Sequence, residues 1–112
     1  DTMSTVLYTQ VIRAVFGGAV DGDSASIAYQ AEQLAVRLDD AWDDLLRAAR
    51  RAEQQAHDLV TDHGAASATL LAQTAAECVR LRARVEALEA GLFALVQAAG
   101  KGKEYVAARR AK

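Results

Sequence analysis

The sequence predicts an all-α protein, a long antiparallel helical hairpin with a short helix ahead of it, and three observations carry that prediction. Apolar residues recur at spacings of three and four along two long stretches. No proline interrupts either one. Between them, His63-Gly64 offers a place for the chain to stop one helix and turn back on itself.

The first helix is expected over about residues 4 to 16, with Ser4 or Thr5 as N-cap and Gly17-Gly18 as its stop. Leu7, Tyr8, Val11, Ile12, Val15 and Phe16 leave it little polar surface, so it must dock on something. Asp1 and Thr2, ahead of Met3-Ser4-Thr5, read as a remnant of expression. Turn chemistry in Val20-Asp21-Gly22-Asp23-Ser24 precedes the second helix, expected over about residues 24 to 62 with Asp23 or Ser24 as cap. The third helix should run over about residues 67 to 99, from Ser67 to a stop at Gly100 and Gly102. A basic tail, residues 101 to 112, is either a fourth short helix docked through Tyr105 and Val106 or a frayed end. Residues 1 to 112 together form a single domain.

Two seams define the hairpin. One runs Ala31, Leu34, Leu38, Ala41, Leu45, Ala48, Ala52, Gln55, Leu59; the other runs Leu71, Thr74, Cys78, Leu81, Val85, Leu88, Leu92, Leu95, Ala99. Folding at Gly64 sets Leu34 against Leu95, Ala41 against Leu88, Leu45 against Val85, Ala48 against Leu81 and Leu59 against Leu71. Small residues repeatedly face large ones.

A second apolar line flanks the first: Ala35, Trp42, Leu46, Ala49, Ala56 and Val60 on the second helix, with Ala75, Val79, Phe93 and Val96 on the third. A two-helix hairpin buries only one seam, so this line needs cover. The first helix, roughly 20 Å long at 1.5 Å per residue, should reach Tyr29, Phe93 and Val96 but not the whole stretch from Trp42 to Val60. The expected cover is a second copy, giving a homodimeric bundle whose interface includes Trp42, Leu46, Ala49, Val60 and Val79. Charge order fits that expectation. A basic belt of Arg47, Arg50, Arg51, Arg80, Arg82 and Arg84 abuts an acidic belt of Asp39, Asp40, Asp43, Asp44, Glu86 and Glu89. A twofold axis near Leu45 and Val85 would lay each belt on its opposite.

Composition narrows the function. Hydrophobic residues make up 52% of the chain and aromatics 5%, a balance of Ala, Leu and Val suited to helix packing. With 13 Lys and Arg against 15 Asp and Glu, global charge steers neither nucleic acid nor an acidic substrate to the surface. The single Cys78 has no intramolecular partner and sits on a seam, which fits a reducing cytoplasm. Residues 11 to 20 are too short and too interrupted to cross a bilayer, so no membrane role is expected.

Three chemistries deserve weighing. Asp39-Asp40-Ala41-Trp42-Asp43 has a DDxxD spacing similar to that of prenyl-chain synthases, in which carboxylates one turn apart share magnesium and a diphosphate. Those enzymes are far larger and use the motif twice. The small all-α nucleoside triphosphate pyrophosphatases are the closer analogue, because Glu86 and Glu89 fall opposite Asp40 and Asp43. A solvated face with Asp43 neutralised by Arg47 at i,i+4 is the preferred reading. His57 and His63 are six apart, not the three or four that puts two ligands on one helix face, so no metal site is expected. Lys101, Lys103, Arg109, Arg110 and Lys112 surround Tyr105, a basic segment with one ring on which a base could stack.

The sequence therefore points to a non-enzymatic protein-interaction module without cofactor, an oligomeric helical adaptor, inhibitor or regulator that occupies a partner's surface, either itself or another protein. A magnesium-dependent pyrophosphohydrolase using the acidic belt, and nucleic-acid binding through the basic tail, are the alternatives.

Overall fold

The computed structural model describes residues 7–17, 22–61 and 64–111, which form four helices and no strand: α1 (Tyr8–Val15), α2 (Gly22–Thr61), α3 (Ala65–Ala98) and α4 (Gly102–Ala111). The molecule measures 60 × 22 × 16 Å. Its length is that of α2 alone, since 40 residues rise about 60 Å.

α2 and α3 pair as the expected antiparallel hairpin. The seam residues Ala31, Leu38, Ala41, Leu45, Ala48, Val85 and Leu92 are buried, and none of the other seam residues is exposed. Register is checked independently by the Arg51–Glu77 ion pair at 2.8 Å, which joins the residues beside the Ala52–Cys78 layer. One layer is polar. Gln55 stands at the level of Thr74, and the Gln55 Oε1 is buried without a hydrogen-bond donor.

Helix boundaries shift where the caps differ from expectation. α1 begins at Tyr8, behind an extended Leu7 that supplies no side-chain cap; Ser4 and Thr5 lie outside the described residues. The Asp39 carboxylate of α2 takes over that role, accepting from the Tyr8 amide at 2.6 Å, the Thr9 amide at 3.1 Å and the Thr9 hydroxyl at 2.6 Å. α2 starts at Gly22, so Asp23 lies in its first turn, where a carboxylate favours the helix dipole. α3 starts at Ala65 after Gly64, and Ser67 is inside the helix. Its C-terminus closes as a Schellman turn: Gly100 at φ +72° donates to the Gln97 carbonyl, and Lys101 donates to that of Val96.

α1 lies antiparallel to α2, with Tyr8 at Asp39 and Arg13 paired with Glu32 at 2.8 Å. It packs on its own chain, between α2 and α4. Tyr8, Val11, Ile12, Val15 and Phe16 fill the core with Ala35, Leu92 and Val96. The basic tail is helix α4, not a frayed end. Tyr105 anchors it, 5% exposed and tilted against Phe93 with ring centroids 6.2 Å apart.

Candidate interaction surface

The layering divides the molecule into unequal halves. From about residue 22 to 42 of α2, the hairpin is covered by α1 and α4; beyond Trp42, α2 and α3 continue alone to the turn. Trp42 belongs to the covered half. It packs against the core, and its buried indole nitrogen lies beside the Tyr8 hydroxyl without a hydrogen bond of standard geometry. α1 runs with its N-terminus toward the turn, so Tyr8 sits over Trp42, at the start of the stretch from Trp42 to Val60, while Phe16 reaches the level of Tyr29.

The acidic belt is split by the same packing. Asp39 caps α1, and Glu89 accepts the hydrogen bond of the Tyr8 hydroxyl. Both carboxylates are half-buried and engaged within the chain, so only Asp40, Asp43, Asp44 and Glu86 are exposed. Arg47 pairs with Asp44 at 2.6 Å, three residues away, in place of the expected Asp43. Among the described residues no three His, Cys, Asp or Glu side chains converge on a point that could hold a metal ion. His57 is exposed, and His63 lies outside the described residues.

The cations of the tail are also redistributed. Lys101 pairs with Glu104 at 3.2 Å. The Arg109 guanidinium lies over two rings, 5.1 Å from the centroid of Tyr8 and 5.9 Å from that of Tyr105. Lys103 and Arg110 are exposed, and Lys112 lies outside the described residues. Because Tyr105 is buried by Phe93 and Arg109, it presents no face on which a base could stack.

Burial dominates the electrostatics here. It pushes the Tyr8 hydroxyl well above the ordinary tyrosine value, and the Glu89 carboxylate adds to the effect by accepting its hydrogen bond and by its charge; Arg109 and Trp42 oppose it. Burial also raises Tyr105, again opposed by Arg109. Both hydroxyls are therefore neutral at physiological pH, and the Tyr8 bond joins α1 to α3.

The apolar surface left open lies elsewhere. On α2, Leu46 is half-buried, Ala49 and Ala56 are exposed, and Val60 is 71% exposed. α3 is the more unusual helix, because its outer side is also apolar. Ala72, Ala76, Val79, Ala83, Ala90 and Phe93 all face outward, with Val79 71% and Phe93 44% exposed. With Glu86 they step by four and three, the spacing of a second seam on the side opposite the buried one. At its C-terminal end this face opens into a groove of about 590 Å³ between α3 and α4, lined by Phe93, Val106, Arg109 and Arg110 among others.

By spacing alone Val79 and Phe93 fall on the line that flanks the main seam with Trp42; the exposure of the alanines between them defines the outer face of α3. The signal was present: alanines at positions 72, 76, 83 and 90 continue the three-and-four spacing. No helix among the described residues is long and apolar enough to cross a membrane. Compared with models of known protein families, with curated proteins and with solved structures, the chain matches none.

Proposed function

We propose that this chain is a protein-interaction module, a non-enzymatic helical adaptor or regulator that works by covering a partner's surface with the outer face of α3. One observation carries the reading: α3 is apolar on both sides, with Val79 and Phe93 standing exposed among alanines. Covering exposed apolar side chains is favourable, burial of one methylene being worth about 0.8 kcal/mol. Trp42 is already packed against the core of its own chain, so the exposed apolar side chains of α3 are the better contact for a partner. Charges at the edge, Arg80 and Arg82, together with Glu86 on the face itself, would select the partner and its register more than add affinity.

The test is photo-crosslinking inside cells from a benzophenone amino acid placed at position 79, with position 37 on the opposite side of the molecule as control. Adducts to protein from position 79 and not from position 37 are expected. Equal labelling from both positions, or none from 79, would overturn the reading.

A further inference from the structure

We infer that the partner on the outer face of α3 is a second copy of this chain, with the two α3 helices antiparallel about a twofold axis at the level of Arg84 and Val85. The inference rests on the interaction-module reading and specifies its occupant. It starts from charge. Arg80, Arg82 and Arg84 precede the axis level and Glu86 follows it, and all four are exposed. Among the described residues none of them has an ion pair or hydrogen bond within the chain. Arg82 and Glu86 are four apart on one helix and still do not meet, an order of charges that is the weaker of the two for pairing within a helix. An antiparallel copy sets Arg82 of each chain toward Glu86 of the other. A parallel copy sets like charges together.

The same axis places the uncharged residues well. Val79 then faces Ala90 of the second copy, and Phe93 faces Ala76, so each large exposed side chain meets a small one. Ala83 falls beside Glu86 near the axis, and Ala72 beside Gln97 at the ends. The N-terminal part of the second α3, where the face is alanine, runs alongside the groove between Phe93 and Val106. A single operation thus accounts for the unpaired Arg82 and Glu86, two exposed apolar side chains and an open groove. It is isologous and closes at two chains.

Sedimentation equilibrium and a distance measurement test this together, on the full chain. Wild type is expected to be a dimer at micromolar concentration, and Val79→Asp and Ala76→Arg are each expected to weaken it by at least about tenfold, because each buries an unpaired charge. Both positions are exposed, so helicity by circular dichroism should be unchanged in the monomeric variants. Spin labels at Gln73→Cys, exposed beside the face, on a Cys78→Ala background, should lie about 35 to 40 Å apart in the dimer, from 1.5 Å per residue and an interaxial distance near 10 Å. A label distance near 10 Å would mean parallel helices and overturn the arrangement. So would a dimer indifferent to both substitutions. A monomer at roughly 100 μM, where a complex with micromolar Kd would be assembled, overturns the second copy as occupant; crosslinks from position 79 to a different protein would then leave the interaction-module reading standing.

Discussion

Asp39 of α2 accepts hydrogen bonds from the backbone amides of Tyr8 and Thr9, so α1 is capped by a residue 30 and 31 positions further along the chain. The Thr9 hydroxyl adds a third bond to the same carboxylate. An N-cap removed by alanine typically costs about 1 to 2 kcal/mol when the helix is held by tertiary contacts. Asp39→Ala should therefore lower the thermal midpoint and speed amide exchange in α1. Asp40→Ala, one residue away and exposed, should change stability by less than about 0.5 kcal/mol. Thermal melts and hydrogen exchange on the two variants check the contrast.

Tyr8 predicts alkaline sensitivity. Burial and the Glu89 carboxylate raise its folded value above the ordinary tyrosine value of 10.0, so the fold retains a proton that the unfolded chain releases. Its contribution is fully present below about pH 10 and is lost as pH rises from there toward the folded value. Denaturant unfolding between pH 9 and 11, as approximate limits around the unfolded tyrosine value, should show stability falling more steeply in wild type than in Tyr8→Phe. A slope unchanged by the substitution would exclude Tyr8 as the cause.

Gln55 is the weak layer of the hairpin. Its Oε1 is buried without a donor, in an α2 seam otherwise built from Ala and Leu. Gln55→Leu should raise stability by about 1 to 2 kcal/mol, through the lost desolvation cost and the added apolar burial. The same residue restricts the register, because a polar group in a seam disfavours shifted pairings. Guanidinium unfolding measures the first effect, and a variant no more stable than wild type would show that the layer is already satisfied.

Gly100 holds the turn into α4 at φ +72°. An L side chain there is strained whatever the surrounding space, so Gly100→Ala should destabilise by about 1 to 2 kcal/mol. The loss should appear first as exposure of Tyr105, whose ring holds α4 against Phe93 and Arg109. Tyrosine fluorescence during mild denaturation would detect α4 leaving before the hairpin melts.

The legible part of this protein was its longest repeat. Spacing of three and four over α2 and α3 named the seam residues and their partners, because a periodic apolar stripe constrains a helix along its whole length. The short helices were less legible. Nothing local marks Tyr8 as the start of α1, since the capping carboxylate comes from Asp39 on another helix. The acidic belt misled for the same reason: Asp39 and Glu89 look like their neighbours in sequence, and only packing of α1 separates them from Asp40, Asp43 and Asp44.

By itself the sequence determined the helical class, the turn at Gly64 and the pairing of the two long helices, all of which follow from periodicity and the absence of proline. Only the tertiary structure decided that α1 covers Trp42, that Arg109 lies over two tyrosines and that Val79 and Phe93 stand exposed on the outer face of α3. The physical reason is range. Periodicity is written into neighbouring residues, whereas the cover over a given side chain depends on where a distant, short helix comes to rest.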